Sequence, residues 1–178
     1  MTGKRSFWTG GILAALAIGA ASLFLLPSLN REPNIPPPRV KSMSNLRQIG
    51  QAILLYSNDY NGQYPDSFRS AFMDVEMGSE VFVSPLRSET PAQGTTKQAV
   101  ADQLSDPIHV SYVYLGRGFT TATVKPEDIV AYELPAQPNS GANVLFGDGH
   151  VEYEDASVIA KIVGRATTGI WPVTMPSP

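Results

Sequence analysis

Few side chains in this sequence are of the types that carry out acid–base or metal chemistry, and their spacing is not that of an active site. The chain of 178 residues has two histidines and no cysteine, so thiolate nucleophiles, thiolate metal sites and disulfides are excluded. His150 follows Asp148-Gly149 and fits a solvated turn residue, while His109 lies in a loop after Pro107. No phosphate-binding loop, dinucleotide fingerprint or nucleophile elbow occurs. The sequence therefore predicts a protein that is not an enzyme.

Oxygen ligands for a metal ion are equally sparse. Asp59, Asn61 and Gln63 flank Gly62 in a spacing that faintly resembles a calcium loop, but its complete spacing and bidentate glutamate are missing. Asn-Gly is better explained as a helix terminus, because both residues tolerate the left-handed conformation. Glu133 ends an apolar run, a position that could be structural or ligating. Since nothing places two carboxylates together, we expect no cofactor.

The charge distribution bears on possible partners. All 16 acidic residues and 11 of the 13 lysines and arginines follow residue 30. That part of the chain is acidic overall and lacks the clustered positive charge that nucleic-acid binding requires. We therefore expect no nucleic-acid partner.

The N-terminal part contains a long uncharged stretch. Residues 7–29 read FWTGGILAALAIGAASLFLLPSL. A membrane span needs about 20 apolar residues, whereas the apolar region of a cleaved signal peptide has about 7–15. This length favours an uncleaved transmembrane anchor over a signal peptide. Lys4 and Arg5 precede it, which favours a single-pass protein of the cell inner membrane with its N-terminus inside and its head in the periplasm or outside.

The chain divides into five predicted segments. They are a short cytoplasmic tail (1–6), the transmembrane anchor (7–29), a Pro-rich linker (30–41), an α+β head (42–166) and a flexible tail (167–178). Four prolines lie between Arg31 and Arg39. Because proline lacks an amide donor and restricts the residue before it, the linker is expected to be extended.

The head begins with a predicted amphipathic helix that ends at Asn61-Gly62. Its apolar residues recur at steps of three and four: Met43, Leu46, Ile49, Ile53, Tyr56 and Tyr60, with Leu54 and Leu55 widening the stripe. Strands are predicted at 80–83, 110–115 and 129–134, and a small helix at 96–104. A closing helix capped by Asp155 is expected to turn Val158, Ile159, Ile162 and Val163 inward.

A hairpin is predicted over residues 143–154. Asp148-Gly149 indicates a two-residue type I′ turn, which would pair Phe146 with Val151. One face of this hairpin would then be apolar, with Val144, Phe146, Val151 and Tyr153. The other face would be polar, with Asn143, His150, Glu152 and Glu154, and Leu145 as the single exception.

Four stretches, read in order, resemble one bacterial family. They are 42–68 (SMSNLRQIGQAILLYSNDYNGQYPDSF), 81–85 (VFVSP), 111–116 (SYVYLG) and 141–153 (GANVLFGDGHVEY). Together they are similar to prepilin-type proteins whose C-terminal part carries a histidine, nine residues and then Asp-Gly, and to the heads of type II secretion major pseudopilins. The matching motif residues are Asn45, Leu46, Gln48, Gly50, Asp148, Gly149 and His150.

The sequence also departs from that family pattern. Pro138 stands where the histidine would be, and Ser84 replaces the cysteine of a Cys-Pro pair. Ser6 and Gly11 stand where a prepilin leader has glycine and glutamate. These differences predict an unprocessed N-terminus and a relative that does not polymerise.

The resemblance implies a fold class and a function. The fold would be α+β, with an N-terminal transmembrane helix and a pilin-like head in which one amphipathic helix packs on a mostly antiparallel sheet. The function would be that of a membrane-anchored pseudopilin-like assembly component of a type II secretion or type IV pilus-like system, in contact with the membrane and with other protein subunits. Because major pseudopilins resemble calcium-stabilised folds near their C-terminal loops, Asp148, Glu152 and Glu154 are calcium candidates. The alternative is an anchored extracytoplasmic module that binds a glycan or a cation.

Overall fold

The computed structural model of the protein describes residues 37–169 and 171–175. These residues form an α+β fold built on one antiparallel sheet of four strands in the order β1-β2-β3-β4. The strands are β1 (Tyr112–Tyr114), β2 (Ile129–Glu133), β3 (Ala142–Phe146) and β4 (Val151–Glu154). The helices are α1 (Pro38–Asp59), α2 (Phe68–Asp74), α3 (Lys97–Gln103) and α4 (Ala156–Thr167), with 3₁₀ turns at Ser79–Phe82 and Pro107–His109.

The structure corrects the predicted fold class with respect to the membrane. The span predicted at residues 7–29 lies outside the described residues. Among the residues that are described, no helix is both long enough and apolar enough to cross a membrane. The predicted class of single-pass transmembrane protein and the predicted inner-membrane localisation are therefore not supported.

Helix α1 begins earlier than predicted and ends where predicted. Pro38 is its first residue, inside the stretch predicted as linker. Proline is favoured there because the first turn of a helix does not use its own amides in intrahelical bonds. The predicted end is confirmed: Asn61 and Gly62 have φ angles of 53° and 82°, in the left-handed region that terminates helices.

The buried side of α1 differs from the predicted apolar stripe. Leu46, Ile49 and Ile53 are buried as expected, but Leu54 and Leu55 are 43% and 51% exposed. Small and polar residues take their place on the buried side: Ser42, Asn45, Gly50, Ala52 and Ser57. Gly50 allows a close approach to β3, since a Cβ there would lie 3.1 Å from Leu145 Cδ1.

The shorter elements follow the predictions in part. The small helix α3 and the closing helix α4 are confirmed; at their N-caps the side chains of Thr96 and Asp155 accept hydrogen bonds from backbone amides of the first turn. The strand predicted at 80–83 is wrong, because these residues belong mainly to a 3₁₀ turn in which adjacent Val81 and Phe82 are both buried. Helix α2, capped by Ser67, was not predicted.

The sheet is covered on both faces, so all residues of β2 and β3 are buried. One face packs against α1 through Leu46, Ile49, Ile53, Ala131, Leu145 and Val151. The other packs against α4 through Ile129, Tyr132, Val144, Phe146, Ile159 and Ile162. Val173, within the stretch predicted as a tail, is fully buried on this second face and accepts a hydrogen bond from the Ile129 amide at 2.8 Å. The head therefore has three layers rather than one helix on one sheet face.

The hairpin register differs by one residue from the prediction. Its loop has three residues, 147–149: the Phe146 amide donates to His150 O at 3.0 Å and the Gly149 amide to Phe146 O at 2.9 Å. Only Gly149 has a positive φ, of 87°, which is the pattern of a type I turn followed by a G1 bulge. Leu145 therefore pairs with Val151.

This shift exchanges the faces of β4. Since strand side chains alternate, a one-residue slip moves each of them to the opposite face. Val151 and Tyr153 lie on the α1 face beside Leu145, whereas Glu152 and Glu154 share the other face with Val144. Leu145 is thus a core residue and not an exposed exception.

Two glycine-to-alanine variants should change stability in opposite directions. Nothing lies within 4 Å of a Cβ at either Gly149 or Gly164, so backbone conformation and not packing determines the effect of an added methyl group on stability. Gly149→Ala forces alanine into a left-handed φ and should destabilise by about 1 kcal/mol. Gly164→Ala lies in α4 and should stabilise by about 0.5–1 kcal/mol. Urea denaturation of both variants tests this, and a Gly149→Ala variant as stable as the parent chain would contradict the left-handed conformation of residue 149.

Candidate functional site

Of the four motif residues predicted in the helix, three make contacts within the fold and one lies on the surface. Asn45 is buried and donates from Nδ2 to Val83 O at 3.0 Å, and Leu46 is fully buried. Gly50 faces Leu145, while Gln48 is exposed. Leu46 and Gly50 therefore position α1 on the sheet, and Asn45 fixes α1 to the residue that follows the Ser79–Phe82 turn.

The other motif residues form the hairpin tip. Asp148 Oδ1 accepts the backbone amide of His150 at 3.0 Å and lies 2.5 Å from His150 Nδ1. The His150 ring stacks on Phe146, with centroids 4.2 Å apart and planes at 3°. The backbone amide of His150, aided by its ring, lowers the pKa of Asp148 below its ordinary value. This arrangement orders the turn around Gly149.

The two groups of motif residues meet in space. Gly50 from α1 and Gly149 from the hairpin tip line one apolar cavity, together with Tyr64 and Leu145. Its volume is about 10 Å³, room for at most one water molecule. The motif residues therefore come together as a packing contact between α1 and the hairpin.

The predicted calcium candidates do not form a cation site in the structure. Glu152 and Glu154 lie on one face of β4, while Asp148 is engaged with His150 at the tip. Within residues 37–169 and 171–175, no three or more acidic, histidine or cysteine side chains are placed to hold a metal ion. Burial, and then the neighbouring charges of Glu152 and Asp155, raise the pKa of Glu154.

The residues around Gly62 and the side chain of His109, two other candidates from the sequence, form hydrogen bonds within loops. Around Gly62, the Gly62 amide donates to Ser57 O at 2.8 Å, which closes the end of α1. His109 Nδ1 lies 2.7 Å from Thr90 O. Both arrangements stabilise loop backbone.

Glu133 is the centre of a buried polar network. Glu133 is only 2% exposed. It accepts hydrogen bonds from Ser42 Oγ at 2.6 Å, from Ser84 Oγ, and from Asn143 Nδ2 at 2.8 Å. No lysine or arginine forms an ion pair with it in the described part of the chain. Hydroxyl and amide donors satisfy its oxygens instead, as buried polar atoms require.

The network continues to Tyr112 on β1. Tyr112 Oη lies 3.0 Å from Ser42 Oγ. Burial raises the pKa of Tyr112 to about 12; the bond to Ser42 opposes this shift and the charge of Glu133 adds to it. The phenol therefore stays protonated and available as a donor to Ser42 around neutral pH.

A second branch leads towards the surface. The Ser84 amide donates to Ser111 Oγ at 2.9 Å, and Ser111 Oγ donates to Glu89 at 3.1 Å. Glu89 pairs with Arg87 at 2.6 Å. Burial acts to raise the pKa of Glu89, but the hydrogen bonds from Arg87 and others outweigh it and lower the pKa overall.

The network joins α1, the 84–89 loop, β1, β2 and β3, which identifies its role as structural. The sequence leaves the role of Glu133 open between structural and ligating, and it does not indicate that Ser42, Ser84 and Asn143 are its partners. A signal was present, because Asn143 and Glu133 are polar residues at the ends of apolar strand sequences. Their convergence depends on strand pairing that no local pattern contains.

Helix α1 also presents apolar residues to solvent. Val40, Leu54 and Leu55 are 48%, 43% and 51% exposed. Successive helical positions are 100° apart, which places these residues on one side together with exposed Arg47 and Gln51. We call these five residues the outer surface of α1. At its C-terminal end, Tyr56 and Tyr60 stack with centroids 4.0 Å apart.

Comparisons with protein-family models, curated proteins and solved structures found no match for this chain. They give no support to the predicted terms pseudopilin and type II secretion system. The likeness to prepilin-type proteins rests on the sequence motifs alone.

Proposed function

We propose that this chain is a non-enzymatic assembly protein that acts through protein–protein contacts, and that the outer surface of α1 pairs with a second copy of the chain. The observation that carries the proposal is the exposure of Val40, Leu54 and Leu55 on a helix whose opposite side is fully packed. Leu54 and Leu55 are neighbours near the C-terminal end of the helix, Val40 lies on the same side near its start, and adjoining exposed apolar side chains on a rigid element are typical of interaction surfaces. The motif likeness to pilin heads, whose role is assembly, favours the same function.

The polar groups of the head also favour assembly over chemistry. Glu133 is saturated by donors from Ser42, Ser84 and Asn143. Asp148 and His150 bind each other in a turn. These side chains already serve the fold, so they support a rigid scaffold that presents a surface.

Cysteine cross-linking should test this surface with a second copy of the chain as the partner. The chain has no cysteine, so an introduced thiol is the only one available. We expect Leu55→Cys to give cross-linked dimers under mild oxidation, at concentrations where sedimentation shows association of the parent chain.

The matched control is Lys161→Cys, an exposed position on α4 at the other face of the sheet. It should give little cross-linked product, and Leu54→Asp with Leu55→Asp should abolish association while leaving the unfolding midpoint nearly unchanged. A parent chain that is monomeric at every concentration, or equal cross-linking from both helices, would refute the proposed contact.

A further inference from the structure

The sheet ends in an open strand edge. β4 is the last strand in the sheet order, and no described residue pairs with its outer side. The Phe146 amide donates to His150 O, so these two residues form a hydrogen-bonded pair. In an antiparallel ladder every second pair is hydrogen-bonded, which makes Val144–Glu152 and Ala142–Glu154 the next such pairs. The backbone groups of Val151 and Tyr153 therefore point away from β3.

These outward groups lack partners among the residues that the structure describes. Among the described residues, no backbone bond outside the strand ladders involves the amide or carbonyl of Val151 or Tyr153. Val151 is nevertheless only 7% exposed. Two amides and two carbonyls at a strand edge form a template for one more strand.

Charge distinguishes between possible strands. Glu152 and Glu154 project from one face of the edge, and Glu127 lies in the same groove with Phe146 and Met175. None of these three carboxylates forms an ion pair with a described lysine or arginine. Burial raises the pKa of Glu154, and the negative charges of Glu152 and Asp155 raise it further.

A second copy of β4 is a poor occupant of this edge. Antiparallel pairing of two β4 strands would bring the Glu152 and Glu154 rows of both copies together, and like charges on neighbouring strands destabilise a sheet. A strand with lysine or arginine at alternate positions would instead place its cations beside Glu152 and Glu154.

We propose that the β4 edge binds an extended, basic segment of a partner protein by strand addition. Val151 and Tyr153 supply the backbone hydrogen bonds, and Glu152, Glu154 and Glu127 select alternating lysine or arginine side chains. The apolar floor of Phe146 and Met175 receives the aliphatic parts of those side chains. This inference concerns a surface separate from the outer surface of α1 and does not depend on self-association.

The probe is a synthetic peptide of nine residues that alternates threonine and lysine, added to the full chain. Binding should slow amide hydrogen exchange at Val151 and Tyr153, the two amides that gain partners, and leave Glu152 and Glu154 unchanged. A peptide of the same sequence with N-methyl groups on the bonding amides keeps the charge but cannot pair. Its affinity should be lower than that of the unmethylated peptide by about tenfold or more.

Charge reversal supplies a matched protein control. In a variant carrying Glu152→Lys and Glu154→Lys, affinity for the lysine peptide should fall about tenfold or more, and a threonine–glutamate peptide should now bind. Equal binding of the N-methylated peptide, equal affinity in the charge-reversed variant, or unchanged exchange at Val151 and Tyr153 would each overturn the proposal.

Discussion

Replacing Glu133 with leucine is expected to lower the free energy of unfolding by about 3 kcal/mol. Leucine has a similar size, but it leaves the buried donors of Ser42, Ser84 and Asn143 without their acceptor. A buried donor without an acceptor costs about 1–3 kcal/mol. Because Glu133 has no lysine or arginine partner among the described residues, the substitution strands no buried cation that would add to that loss. Urea denaturation of the full chain at neutral pH measures the change.

The conservative replacement separates hydrogen bonding from packing. Glu133→Gln retains one acceptor oxygen and should lose less stability than the leucine variant. In a double-mutant cycle, Glu133→Leu and Ser84→Ala should couple by about 0.5–3 kcal/mol, because each variant removes one partner of the same hydrogen bond. A leucine variant as stable as the parent chain would show that the network does not hold the head together.

Leu145→Ala is expected to destabilise the head by about 2–5 kcal/mol, the range for removing a fully buried leucine side chain. Leu145 is 1% exposed and packs under Gly50 of α1. The variant enlarges the small cavity between α1 and the hairpin tip, and the rigid helix backbone at Gly50 limits how far the site can collapse.

This prediction distinguishes the observed hairpin register from the two-residue turn. In the two-residue register, Leu145 would lie on the polar face and its truncation would cost little, within about 0.5 kcal/mol. Leu55→Ala is the matched control, because the same truncation at a residue 51% exposed should have such a small effect. Equal unfolding midpoints for the two alanine variants would contradict the three-residue loop.

Local signals in the sequence located some of the helix boundaries. Asn61-Gly62 ends α1 because these residues adopt left-handed conformations with little strain. Asp155 begins α4 because its side chain accepts from the amides of Ser157 and Val158. Each signal acts between residues a few positions apart, so neither depends on the rest of the fold.

The hairpin shows where a local signal was insufficient. Asp-Gly predicts a two-residue turn, but Gly147 also belongs to the loop. A Cβ at Gly147 would lie 2.0 Å from Lys125 O, and the Gly147 amide donates to Asp128 O. The segment before β2 thus restricts residue 147 to glycine and holds this residue in the loop. That restriction comes from residues about 20 positions away, which the dipeptide does not reveal.

What the sequence determined by itself is the set of short-range structures: where helices end, where a hairpin turns, and which long segments are apolar. Tertiary structure decided which sides of those elements are buried. Helix α1 turns Ser42 and Asn45 inward and leaves Leu54 and Leu55 in solvent, because Glu133 and the approach of Gly50 to Leu145 set its rotation. Hydrophobic periodicity measures only the average polarity of a helix face. It cannot register that a buried carboxylate on another strand needs hydroxyl donors from that face.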